Sequence, residues 1–202
     1  MKKIATTALL ATSLFTGTTQ ASIDDVSVSA NVTGVSKYIW RGYDLNDNFT
    51  IQGGFDLSYN GFYAGVWGGD DQSSGNEIDL YAGYGFNMTD NLAFEIGYLQ
   101  YRYEETDSTL DEWHVTGTWY GVGLTFHDGE SGYQYAELNY SLNLTDKLSA
   151  ALHAGYEKTG EKYYDLMTTL SYAINSNYTV FLALSEKEDF DTEFAFGITG
   201  TF

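Results

Sequence analysis

The stretch Glu193-Phe-Ala-Phe-Gly-Ile-Thr-Gly-Thr-Phe202 alternates with a period of two. Phe194, Phe196, Ile198, Gly200 and Phe202 share one face, and Ala195, Gly197, Thr199 and Thr201 share the other. Successive side chains of a β-strand point to opposite faces, so this is a strand with one apolar face and one small polar face. Such a strand lines either the core of a soluble β protein or the lipid-facing wall of a barrel. One strand does not separate the two, because each strand of a membrane barrel carries a weak signal.

The chain repeats the pattern outward from this end. Tyr178, Val180, Leu182 and Leu184 form the preceding apolar stripe, and Tyr164, Leu166, Leu170, Tyr172 and Ile174 the one before it. Leu148 to Tyr156, Ala136 to Leu144, Val122 to Phe126, Trp113 to Trp119, Leu92 to Tyr98 and Ile78 to Phe86 continue it. The series begins with Phe62 to Gly68, Phe49 to Tyr59 and a long first strand from Val26 to Tyr43. Tight turns near residues 60, 89, 120, 146 and 176 alternate with longer, mostly acidic connections near 46, 73, 107, 130, 160 and 189. Short turns on one side, loops on the other and an even strand number describe a transmembrane antiparallel up-and-down β-barrel. The reading is all-β with about twelve strands, or ten if the glycine-rich third or the short seventh segment is not a strand.

The ends and the composition agree. Met1-Lys2-Lys3, an apolar run from Ile4 to Phe15 and Ala21 make a cleavable secretory signal over residues 1–21, leaving the barrel as residues 22–202. The formal charge is −19, and removing Lys2 and Lys3 makes the remainder more acidic still. Nucleic acid is excluded as a partner at this charge. With no Cys, neither disulfides nor thiol chemistry are available, and with no Pro the strand ladders run uninterrupted. The 18 Tyr suit membrane–water interfaces, where a ring sits in the apolar layer and its hydroxyl in water. Tyr38, Trp40, Trp113, Trp119, Tyr156 and Tyr164 are expected to form that aromatic girdle.

The final strand resembles the closing strand of bacterial outer-membrane barrels. That resemblance implies that Phe194, Phe196, Ile198 and Phe202 are read by the barrel-assembly machinery. The segment Ser36-Lys-Tyr-Ile-Trp-Arg-Gly42, with Ile51-Gln-Gly-Gly-Phe-Asp56, Gly61-Phe-Tyr-Ala-Gly-Val-Trp-Gly68 and Glu77-Ile-Asp-Leu-Tyr-Ala-Gly-Tyr84, resembles the TorF-type porin family. The resemblance covers the first third of the exported chain and implies an outer-membrane porin. It carries over no substrate and no catalytic residue.

Parity places Lys37, Arg41, Asp56, Asp79, Glu95, Glu137 and Asp165 on the inner face. They are expected to line the lumen, either as a transverse field that sorts solutes by charge or as pairs that neutralise one another. The acidic excess predicts a preference for cations. His114, His127 and His153 fall on the same face, away from lipid, and none belongs to the His-x-Ser pair of barrel lipid hydrolases. No catalytic residue, metal site or cofactor is expected. Asp70, Asp71, Glu104, Glu105, Asp107, Asp111 and Glu112 lack Ca²⁺-loop spacing and read as solvated connections beside lipopolysaccharide. The expected function is passive diffusion of small solutes across an outer membrane, against the alternative of a closed structural or surface-interaction barrel.

Overall fold

A computed structural model describes residues 26–202, so the expected signal segment 1–21 lies outside the described residues. The barrel strands are β1 (Ser27–Val35), β4 (Thr50–Tyr59), β5 (Phe62–Asp71), β6 (Gly75–Thr89), β7 (Leu92–Tyr103) and β8 (Ser108–Trp119). They continue with β9 (Val122–Gly129), β10 (Gln134–Asn143), β11 (Leu148–Thr159), β12 (Glu161–Ala173), β13 (Tyr178–Lys187) and β14 (Glu193–Thr201). Each pairs antiparallel with its neighbour in chain order, and β14 returns to β1. The result is a closed barrel of twelve strands. Between β1 and β4 lies a separate two-stranded hairpin, β2 (Tyr38–Trp40) and β3 (Tyr43–Asn46).

The alternation read from the sequence is the alternation of the wall. On β14, Phe194 is 69% exposed and Ala195 2%. Phe196, Ile198 and Phe202 are exposed with Phe194, and so are Trp113, Trp119, Tyr156 and Tyr164 on other strands. A belt of large apolar side chains pointing away from a polar interior is what a bilayer selects, since every backbone group is already paired around the closed ring.

Closure depends on the β1–β14 seam. Ala30 and Phe202 exchange backbone hydrogen bonds of 3.0 and 2.9 Å, and the hydroxyls of Thr33 and Thr199 meet across the inner face at 2.8 Å. Gly197 opposes Val35, and a Cβ there would lie 2.6 Å from the Gly34 carbonyl oxygen and 2.6 Å from the Phe181 ring. The carbonyl belongs to the seam itself and cannot move aside. Gly197→Val is therefore expected to abolish closure, read as loss of the heat-modifiable compact band on an unboiled gel. A normal compact band from this variant would show that the seam is not needed at that position.

Two expectations need correction. The first strand does not run to Tyr43 but stops at Val35, because the chain turns inward after it. The connections at the loop end are also shorter than the acidic stretches suggest, with residues 72–74, 104–107 and the single residue 160 between strands. Acidic residues expected in loops, Asp70, Asp71, Asp111 and Glu112 among them, belong to strands β5 and β8. The only long connection among the described residues at that end is 36–49.

Candidate functional site: the barrel lumen

Within the connection 36–49 the hairpin folds into the barrel, while Phe49 is exposed. Tyr38 donates its hydroxyl to Glu77 of β6 at 3.0 Å and packs on Trp67 of β5. Trp40 meets Tyr101 of β7 edge to face. Arg41 reaches Glu112 of β8, Tyr43 donates to Glu157 of β11 at 3.0 Å, and Lys37 donates to Glu193 of β14 at 2.6 Å. Gly42 sits against β12 and β13, where a Cβ would come within 2.9 Å of the Asp165 side chain and 2.8 Å of Lys187. Only a segment inside a closed ring touches the inner faces of so many strands at once.

Local chemistry makes the hairpin. Arg41 and Gly42 both have positive φ, 48° and 79°, the pattern of a two-residue turn whose twist matches its flanking strands. Gly adopts this at no steric cost, and Arg does not. A non-glycine residue held in that region is kept there by what its side chain gains. Tyr38 and Trp40 therefore do not join the interfacial girdle. Tyr38 is 3% exposed, with its ring inside the barrel.

Three cations, in four ion pairs, hold the hairpin. The Arg41 guanidinium is 2% exposed and forks onto Glu112, Nη1 to Oε2 at 2.8 Å and Nη2 to Oε1 at 2.9 Å. Lys187 of β13 donates to Glu157 at 3.0 Å and to the Arg41 carbonyl at 3.1 Å, with its ammonium 3.8 Å from the Tyr43 ring centre. Lys37 binds Asp44 and Glu193 at the hairpin's foot. Hydrogen bonds from Lys37, first to Asp44 and then to Glu193, hold its pKa above the ordinary value and keep it charged.

The carboxylates expected inside have distinct surroundings. Asp56 accepts the Tyr81 hydroxyl, and Glu95 accepts the Tyr63 hydroxyl at 2.7 Å and lies 3.1 Å from His114. Asp165 takes the Tyr135 hydroxyl and lies 2.9 Å from His153. Glu137 stands between His127 at 3.5 Å and His153 at 3.7 Å. Asp79 is 6% exposed, and its Oδ1 has no hydrogen-bond partner. Lys37 and Arg41 do not line the lumen from a wall strand, since both ride on the hairpin connection.

Sequence reasoning missed Glu77, Glu112, Glu157 and Lys187, all buried in the lumen. Parity could have found all four, Lys187 because it lies three residues from the outward-facing Leu184. Glu112 is two residues from His114, Glu77 two from Asp79 and Glu157 four from His153, so each shares an inner face with a residue already placed. Extending each strand further toward the loop end was the missing step.

No curated protein matches the chain. Solved structures share its fold at low identity. A KdgM porin superposes with a TM-score of 0.70 at 14% identity, over 86% of this chain and 99% of its own. A NanC porin gives 0.64 at 12% identity, over 86% and 98%. The outer-membrane protein Omp33 of Acinetobacter baumannii gives 0.60 at 9% identity, over 87% and 96%. The fold is thus the one used by porins. Residues 19–193 match the family described as bacterial protein of unknown function (Gcw_chp), and the chain belongs to that family.

Proposed function

We propose that the chain is an outer-membrane channel of porin type for small solutes, with a preference for cations. The observation that carries this reading is the closed twelve-stranded barrel with an apolar outer face and a lumen whose carboxylates outnumber its cations. Arg41 and Lys187 neutralise Glu112 and Glu157, and Lys37 offsets one of the two charges of Asp44 and Glu193. Asp56, Glu77 and Asp79 have no cation within ion-pair distance among the described residues, and the only ion-pair partners of Glu95, Glu137 and Asp165 there are histidines. A lumen of that sign favours cations. The TorF-type assignment and export behind a cleaved signal go with this reading. Assembly through Phe194, Phe196, Ile198 and Phe202, and lipid and lipopolysaccharide as neighbours, go with it too.

A second reading has its own observation. The hairpin packs against wall strands around the lumen at the loop end, with Tyr38, Ile39 and Arg41 all buried, which favours a closed structural or surface-interaction barrel. Planar-bilayer recordings of the refolded residues 22–202 separate the two. Discrete steps with a cation-selective reversal potential under a salt gradient, moved toward zero by Asp56→Asn or Glu137→Gln, are expected. A folded, heat-modifiable protein that stays electrically silent would overturn the channel reading.

A further inference from the structure

We propose that Glu112, His127, Tyr133 and Tyr135 form a guanidinium receptor in the lumen wall, that Arg41 occupies it as a tethered ligand, and that guanidinium-bearing solutes compete for it. Arg41 comes from the hairpin, whereas Glu112, His127 and Tyr135 belong to strands β8, β9 and β10 and Tyr133 directly precedes β10. The guanidinium makes the planar two-point fork to Glu112 that an ammonium cannot make. Nη1 also donates to the Tyr133 hydroxyl at 2.6 Å, and Nη2 lies 3.1 Å from His127 Nδ1. The guanidinium carbon lies 4.2 Å from the Tyr135 ring centre, 4.5 Å from Trp40 and 5.3 Å from Tyr133. A carboxylate fork among aromatic faces is a recognition site for a flat organic cation.

Three of the four wall groups, Glu112, His127 and Tyr135, are held in place without the hairpin, whereas the Tyr133 side chain bonds and stacks with Arg41 and Trp40. His127 Nδ1 lies 2.7 Å from Glu112 Oε1, and the Tyr135 hydroxyl is fixed by Asp165 and His153. Gly155 leaves the room, since a Cβ there would fall 2.0 Å from the Tyr135 hydroxyl. Backbone pairing of Glu112 with Gly129 and of His127 with Tyr135 sets the spacing. The receptor is thus preformed in these three groups, while its occupant fits imperfectly. Arg41 Nε is buried with no hydrogen-bond partner, and the Arg41 backbone has positive φ. A free guanidinium ion can make the same fork and ring contacts without that backbone constraint. With Arg41 withdrawn, Glu112 would be a buried carboxylate short of its cation, which is costly until another cation replaces it.

The binding half of this proposal stands on the lumen geometry, and the solute half rests on the channel reading. The test is calorimetric titration of refolded Arg41→Ala in detergent with methylguanidinium chloride, with methylammonium chloride as the matched control. Saturable methylguanidinium binding is expected, on the order of tenfold tighter than in the unmodified chain, where the tethered occupant must leave first. Methylammonium should bind at least about tenfold more weakly, lacking the fork. Adding Glu112→Gln should remove the preference. If Arg41→Ala does not fold, replacement of residues 37–48 by a short turn presents the same four wall groups, without the Trp40 ring. No saturable methylguanidinium binding, or equal binding of the two cations, would overturn the proposal whatever the bilayer recordings give. Binding in a protein that never conducts would uphold the receptor and overturn the channel reading alone.

Discussion

Replacing residues 37–48 by an Asn-Gly turn is expected to raise single-channel conductance at least about threefold, as a side-chain-filled passage becomes a water-filled one. The edit is geometrically mild. Val35 and Thr50 are register partners on β1 and β4, so a four-residue connection through Ser36 and Phe49 joins them. The hydrogen bonds joining Ser36 to Phe196 across the seam are retained. β2 and β3 pair only with each other, so the barrel's own ladder loses nothing. What is lost is the set of rings and charges inside: Lys37 on Glu193, Tyr38 on Glu77, Trp40 on Tyr101, Arg41 on Glu112 and Tyr43 on Glu157. An unchanged conductance in a folded variant would mean that ions pass by another route and that the hairpin does not narrow the path.

Lys187→Met should destabilise the barrel by about 3–5 kcal/mol, the range for stripping one partner from a buried ion pair. Both side chains are almost wholly enclosed, the Lys187 side chain at 0% and that of Glu157 at 5% exposure. The substitution keeps much of the lysine's volume, so the loss reports the orphaned Glu157 carboxylate and the lost donor to the Arg41 carbonyl. The double variant Lys187→Met with Glu157→Gln should recover most of the loss, because no uncompensated charge remains. Urea unfolding of the refolded protein measures both. Protease cleavage within residues 36–49 should also appear in the single variant, since its hairpin is no longer tied to β13. Equal stability of the single and double variants would show that the pair is not the source of the effect.

The barrel was legible in the sequence because its rule is local. A strand's two faces alternate whatever it pairs with, so Phe194, Phe196 and Ile198 against Ala195, Gly197 and Thr199 declare lipid side and lumen side without a partner. The same rule placed Asp56, Asp79, Glu95, Glu137 and Asp165 inward. It misled at the hairpin, because Tyr38 and Trp40 keep the alternation of Val26 to Val32 while the chain has left the wall. Arg41-Gly42 is a turn signal, but a weak one, since Asn or Asp is the usual first residue of such a turn. What closes around that turn is remote in sequence. Glu112 lies 71 positions from Arg41, and Lys187 lies 146. By itself the sequence determined the barrel, its two faces and the sign of its interior, because these follow from periodicity and composition. Only the tertiary structure decided that the first connection turns inward and that Arg41 meets Glu112, because those contacts exist only once the ring is closed.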